Sequence, residues 1–203
     1  FAVEKYKETL NRICEDRHID TQFNWNLTAV IGESQQAIFT NTETGETRCE
    51  KYNLLHVTPP MSAPKFIKDS GLGNESGFVS VDAKTLQHDV YPDIFSLGDA
   101  SSLPTSKTAA AIRAQVPVLK NNFFSHINRR NLSAEYDGYS SCPLITGYNS
   151  AVLAEFDYQL EPRETFPFNQ AKERLSMYLL KKYLMPVLYW KALIRGKRWP
   201  TIL

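Results

Sequence analysis

The chain has 203 residues, 42% of them hydrophobic, and a formal net charge of +1, enough for one large domain or two small ones around a real core. Its longest uncharged apolar run, residues 183–190, is far short of the roughly 18 to 20 residues that a spanning helix needs. Three cysteines, Cys14, Cys49 and Cys142, with no close pair, exclude a zinc cluster and a disulfide-stapled secreted scaffold.

Val3, Tyr6, Leu10 and Ile13 recur at helical spacing between charged residues, which predicts a surface helix over 3–16 closing at 16–18. The chain opens inside that amphipathic pattern, not on a signal peptide, so it reads as a fragment of a longer protein. Residues 21–31 alternate as a strand and 36–40 as a second, and Thr42-Glu-Thr-Gly-Glu46 makes a hairpin turn into 47–50. Leu54-Leu-His-Val-Thr58 predicts a buried strand stopped by Pro59 and Pro60. This order of helix, strand, hairpin and exit strand matches the closing half of a nucleotide-binding α/β domain, and occurs in other mixed folds too.

Pro, Ser, Gly and Asn dominate 61–77, which predicts a crossing loop, with short strands at 78–81 and 94–97 beyond it. A second loop is expected over 131–147, holding Cys142, before a strand at 151–158. The last stretch, 170–203, has eight basic residues against the single acid Glu173, a charge of +7 where the rest carries −6. There Leu175, Met177, Leu179, Leu180, Tyr183 and Leu184 share one broad helical face, opposite Arg174, Lys181 and Lys182. Pro186 is expected to break this helix before Val187-Leu-Tyr-Trp190, Ala192-Leu-Ile194 and the flanking Lys191, Arg195, Lys197, Arg198 and Trp199. The pattern suits an amphipathic foot lying on a membrane surface; a helix packed on the body or on another subunit is the alternative.

The segment richest in chemistry is Tyr91-Pro-Asp-Ile-Phe-Ser-Leu-Gly-Asp-Ala100 followed by Lys107-Thr-Ala-Ala-Ala-Ile-Arg-Ala-Gln115. Gly98 permits a tight turn at a strand end, and Asp99 beyond it is a carboxylate able to accept hydrogen bonds from ribityl hydroxyls. Residues 105–108 offer a helix cap, with Lys107 and Thr108 leading into alanines small enough for a ligand to approach the helix start. The free N–H groups and the helix dipole would favour negative charge on the pyrimidine edge of a flavin. Each part alone is an ordinary turn or cap; the combination points to FAD held near its flavin end. No Gly-x-Gly-x-x-Gly follows a strand, so the half that would grip the pyrophosphate is absent from these residues. Cys142, set among tyrosines and small polar residues, is either a reactive loop thiol or a packed inert one.

Several motifs together carry a resemblance. His56-Val-Thr-Pro-Pro-Met61, Leu97-Gly-Asp with Leu103-Pro-Thr-Ser-Lys-Thr-Ala-Ala-Ala111, Tyr136-Asp-Gly-Tyr with Ser141-Cys-Pro-Leu and Thr146-Gly-Tyr, and Lys172-Glu-Arg-Leu-Ser-Met-Tyr178 resemble the C-terminal half of the mitochondrial type of sulfide:quinone oxidoreductase. The resemblance runs from Ala2 to about Gly196. It implies an α/β fold, the C-terminal part of a two-dinucleotide-binding-domain, Rossmann-like flavoprotein with an amphipathic membrane-binding helical tail. Residues 1–62 would close the second nucleotide-binding-like domain, 63–130 return to the FAD-binding domain, and 131–203 carry the redox-cysteine loop and membrane-associated helices.

The family also implies a peripheral enzyme of the mitochondrial inner membrane that oxidises hydrogen sulfide with FAD and reduces ubiquinone. Sulfane sulfur would pass through a cysteine persulfide to glutathione, sulfite or coenzyme A. No metal and no nucleic acid is implied, and a homodimer is left open. Cys142 matches one of the family's two redox cysteines; the second would lie upstream, so neither Cys14 nor Cys49 takes that place. Gly98, Asp99, Lys107 and Thr108 would face the flavin. Phe166, Phe168 and Tyr148 are candidates for an apolar quinone slot, or are simply core aromatics. Lys172 is the candidate cation for the thiolate or for an anionic acceptor, or a solvated helix lysine. A type II NADH:quinone oxidoreductase, which has no use for a redox thiol, and a non-catalytic binding module are the competing readings.

Overall fold

A computed structural model describes residues 1–197, so Arg198 and Trp199 of the basic tail lie outside the described residues. The described residues form a mixed α/β structure with two small antiparallel sheets. It divides into two compact units, one of residues 12–61 and one of residues 1–11 with 62–203. Helix α1, Glu4–Asp16, runs through the first division and buries Tyr6 and Thr9, in keeping with its apolar spacing.

The unit of residues 12–61 is a meander of β1 (Trp25–Ile31), β2 (Gln36–Asn41) and β3 (Thr47–Lys51). Its second turn forms because Asn41 accepts the N–H groups of Glu43 and Thr44 on Oδ1 and Gly45 adopts φ +75°. The strand expected at 54–58 is not there: Leu54 is 90% exposed and the segment pairs with nothing. A continuous apolar run becomes a buried strand only where a sheet neighbour and covering layers exist, and a three-stranded meander supplies neither.

The other unit holds the remaining elements. Residues 61–77, expected as loop, contain α2 (Lys65–Asp69), which starts after Pro64 and buries Ile67. The strands expected at 78–81 and 94–97 are reduced to single bridges, such as Val79 with Ser101 and Gln87 with Phe95. Tight turns between them, with Leu86 at φ +66°, leave no consecutive pairs for a ladder. His88 organises one turn, its Nδ1 accepting from the N–H groups of Val90 and Tyr91. Helix α3 (Ala109–Ile127) follows and tolerates Pro117 in its interior.

Strands β4 (Ser140–Gly147) and β5 (Ser150–Phe156) then form a hairpin, with Cys142 opposite Ala154 and Pro143 opposite Leu153. Proline is tolerated because the sheet has only two strands and every strand is an edge. The tail comprises α4 (Leu175–Leu179), a π-helical turn (Leu180–Leu184) and α5 (Met185–Lys191). Pro186 does not break it. It sits in the first turn of α5, where a missing N–H is harmless, and the preceding π turn makes room for the ring.

Two clusters of buried side chains stand out among the described residues of this unit. Ile67, Val79, Val81, Leu86, Leu103 and Tyr136 pack together on one side of α3. Met177 and Leu180 pack on Ala151 and Leu153, with Phe166 and Phe168 beside them. The broad apolar face expected for the tail is therefore divided: Met177 and Leu180 are buried, while Leu175, Leu179, Tyr183 and Leu184 are exposed.

Candidate flavin and thiol site

Gly98 is buried at φ +63° in a 3₁₀ turn, Gly98–Ala100, and its N–H donates to Gln115 Oε1 at 2.8 Å. A Cβ here would lie 3.1 Å from the Ile112 side chain, so glycine is needed both for the backbone angle and for the approach of α3. Asp99 is left exposed at the turn. Lys107 returns to the same place: its Nζ donates to Ser101 O at 2.6 Å and stands 4.6 Å from the Phe78 ring centroid. Burial holds the Lys107 ammonium below its ordinary pKa, and the Asp99 carboxylate acts against that.

Thr108 caps α3, its Oγ1 accepting the Ala111 N–H at 3.1 Å. The first i→i−4 bond runs from Ile112 N to Thr108 O, so the N–H groups of Ala109 and Ala110 point out of the helix end. The cap is pinned to β4: Thr108 Oγ1 pairs with Ser140 Oγ at 3.0 Å, and Ser140 Oγ donates to Ser106 O at 3.3 Å.

Two residues on, Cys142 projects from the same face of β4, because side chains alternate along a strand. The thiol is thus on a strand and not, as its polar surroundings suggested, in a loop. It is partly buried, and burial pushes its pKa up, while the Ser106 side chain and the Lys181 ammonium pull it down. Lys181 is anchored beside it, Nζ donating to Pro143 O at 2.7 Å. Lys172 is exposed, and the cation acting on the thiol is Lys181. The structure thus brings Gly98, Lys107, Thr108 and Cys142 around the start of α3.

The aromatic candidates lie elsewhere. Phe166 and Phe168 stack with centroids 5.2 Å apart and planes 10° from parallel, and Arg174 covers Phe168 at 4.4 Å. They pack with Ala151 and Leu153, whose side chains leave the hairpin on the face opposite Cys142 and Ala154. Tyr148, at the hairpin tip, is 99% exposed and joins neither group.

Sequence reasoning missed a buried polar centre on that second face. Glu155 is 2% exposed and accepts four hydrogen bonds: from the hydroxyls of Tyr139 and Thr165 on Oε1, and from Thr165 N and Gln170 Nε2 on Oε2. Burial, together with the hydrogen bond and charge of Glu155, holds the Tyr139 phenol well above its ordinary pKa. The signal was present, since a lone carboxylate inside the apolar run of β5 has to be satisfied internally. The Tyr136-Asp-Gly-Tyr139 motif also has a packing reason. Tyr136 and Tyr158 meet edge to face at 5.5 Å, and a Cβ on Gly138 would fall 2.2 Å from Tyr158 Cγ.

No family model matches the chain. Curated relatives named mitochondrial sulfide:quinone oxidoreductase do. The one from Mus musculus is 47% identical over 197 residues, 97% of this chain and 44% of its own length. Those from Dictyostelium discoideum and Schizosaccharomyces pombe are 44% and 42% identical, each over 98% of this chain and 44% and 45% of their length. Among solved structures, a chain in the cryo-EM structure of the Tetrahymena thermophila mitochondrial ATP synthase is similar, with a TM-score of 0.78 and 31% identity over 91% of this chain and 45% of that one. By sequence, the chain is similar along nearly its whole length to mitochondrial sulfide:quinone oxidoreductases, and it spans a little under half the length of the relatives it matches.

Proposed function

We propose that this chain supplies the flavin-edge and thiol half of a mitochondrial sulfide:quinone oxidoreductase, an FAD-dependent enzyme that works at the inner-membrane surface. The observation that carries the reading is the convergence of the Gly98–Asp99 turn, the capped start of α3 and Cys142, in a chain 42–47% identical to proteins of that name. The site fits the isoalloxazine end of FAD: a glycine turn that no side chain could enter, an exposed carboxylate, and a helix start lined by alanine. Asp99 would bind ribityl hydroxyls, and Gly98, Lys107 and Thr108 hold the turn and cap that face the ring. A bound flavin supplies two-electron chemistry, accepting the pair released by sulfide and handing it to a quinone.

Cys142 is the redox thiol. Hydrosulfide attacks one sulfur of its disulfide with an upstream cysteine; the S–S bond breaks, one cysteine becomes a persulfide and the other leaves as thiolate. The outer sulfur then passes to glutathione, sulfite or coenzyme A. Re-forming the disulfide releases two electrons, and the quinone takes them with two protons. Lys181 and Ser106 favour the thiolate; Lys172, further out on the solvent side, steers an anionic acceptor.

The Phe166–Phe168 stack, beside Met177 and Leu180, offers a flat apolar face for the quinone, away from the sulfur acceptor. Exposed Leu179, Tyr183, Val187, Trp190 and Ile194 alternate with Lys182, Lys191 and Arg195 along the tail, which suits a membrane foot. Among the described residues no helix is long and apolar enough to cross a membrane. In this reading residues 1–62 close the second nucleotide-binding-like domain, 63–130 return to the FAD domain and 131–203 carry the thiol and the foot.

Replacing Cys142 by Ser in a complete enzyme containing this chain tests the proposal. Sulfide-dependent quinone reduction is expected to fall at least about a thousandfold, since the covalent route is lost; a rate within threefold of the parent would sink it. The likeness to a chain of an ATP synthase assembly favours one second reading, a non-catalytic subunit on the same fold, and a parent protein without any sulfide-dependent quinone reduction would point there.

A further inference from the structure

A line of largely buried groups leads from the Gly98 turn through Gln115 and Tyr136 toward the strand that carries the thiol. Gly98 N–H donates to Gln115 Oε1 at 2.8 Å, 17 residues away in sequence. Gln115 is 1% exposed in the middle of α3, and its side chain also faces the Tyr136 hydroxyl. That hydroxyl donates to Tyr139 O at 2.6 Å, and Tyr139 is the residue before β4, three short of Cys142. Because the Tyr136 proton is committed to Tyr139, its oxygen is left to accept, and this orients the amide: Gln115 Oε1 to Gly98, Nε2 to Tyr136. The flipped amide would set donor against donor at Gly98.

Burial alone does not account for this arrangement. Helix α3 buries a second amide, Asn122, which bonds Thr85 O, Ala134 O and Ala134 N and touches neither segment of the site. Asn122 fastens a loop to the helix. Gln115 instead ties together two segments whose separation matters, because reacting atoms must approach to about 3–3.5 Å and an error of about 1 Å has large kinetic effects.

We propose that Gln115 is a positioning residue that couples the Gly98–Asp99 turn to the strand bearing Cys142, so that a displacement of one is transmitted to the other. The functional meaning of the coupling rests on the assignment of the turn to flavin; the coupling itself does not. Seated between them, Gln115 would set the distance from thiol to flavin without touching either.

A mutant cycle on the 203-residue chain, with Cys14 and Cys49 changed to Ser, tests it by the rate at which iodoacetamide alkylates Cys142. Gly98→Ala pushes the turn against Ile112 and is expected to change that rate by about threefold or more. In the Gln115→Met background, which keeps the volume and lacks the amide, the same change should have less than about 1.5-fold effect. Gln115→Glu keeps an acceptor for Gly98 but no donor to Tyr136, and should uncouple likewise; Asn122→Leu should leave the Gly98→Ala effect intact. Equal Gly98→Ala effects with and without the Gln115 amide, or no effect in either, would overturn the proposal. FAD content, read by flavin absorbance in a complete enzyme containing this chain, separates the two questions: Asp99→Ala that retains as much FAD as the parent counts against the flavin assignment, while the alkylation cycle still decides the coupling.

Discussion

Glu155 allows a prediction whose size follows from counting donors. Replacing it by Ala removes the acceptor of four hydrogen bonds at a site 2% exposed. The Tyr139 and Thr165 hydroxyls can turn elsewhere, and Gln170 Nε2 keeps Leu153 O at 3.3 Å, but Thr165 N–H is orphaned. An orphaned buried donor costs about 1–3 kcal/mol, and the lost bonds to a charged acceptor bring Glu155→Ala to about 3–5 kcal/mol. Glu155→Gln should be far milder. Its oxygen can serve Thr165 N and Gln170, while its NH₂ faces two hydroxyls free to rotate and accept, so only charge assistance is lost, about 1–2 kcal/mol. Because the chain has two compact units, a global unfolding signal is not two-state, and the probe has to sit in the hairpin. Pulse alkylation of Cys142 against urea does so, reading the opening of β4. Equal losses for the two variants, or a loss below about 1 kcal/mol for Glu155→Ala, would refute the reasoning.

The thiol and the tyrosines give two further expectations. Lys181→Met removes a charge that lowers the Cys142 pKa, so the alkylation profile should move to higher pH, with the rate at pH 7.5 down about two- to fivefold and the alkaline plateau unchanged; Lys172→Met should not shift it. Burial raises the phenols of Tyr6 and Tyr136 above the ordinary value of about 10, so above that pH the unfolded chain loses protons that the folded one keeps. Stability therefore falls with rising pH, by about 1.4 kcal/mol per pH unit for each such phenol, and urea midpoints that stay flat from pH 9 to 11 would contradict this.

Local elements were legible wherever a local signal set them. The period of Val3, Tyr6, Leu10 and Ile13 marks α1, and the Thr42–Glu46 turn places the β2–β3 hairpin. Errors fell where neighbours decide. Leu54–Thr58 has the composition of a buried strand with nothing to pair with, and residues 78–81 and 94–97 have strand composition between turns too tight for a ladder. Cys142 was misplaced for the opposite reason: Ser140, Ser141 and Pro143 are poor strand residues, yet pairing with the apolar β5 overrides their propensity.

The same division runs through the site. Gly98 and Thr108 are legible because each answers a backbone demand within a few residues, a positive φ and an uncapped helix start. Lys181 and Gln115 are not, since each acts on a segment brought near by folding: Lys181 is 38 residues from its partner Pro143, and Gln115 is 17 from Gly98. Lys181 stands four residues, about one helical turn, after the buried Met177, which places it beside the packed side of the tail. Setting Lys181 with Lys182 opposite the apolar face, as the charge pattern suggests, hides this, since Lys181 reaches back to the hairpin while Lys182 stays in solvent. Tail and thiol are therefore one structural arrangement. A change that displaced α4 from the hairpin would withdraw the cation nearest Cys142 without altering any residue that the sequence alone marks as functional.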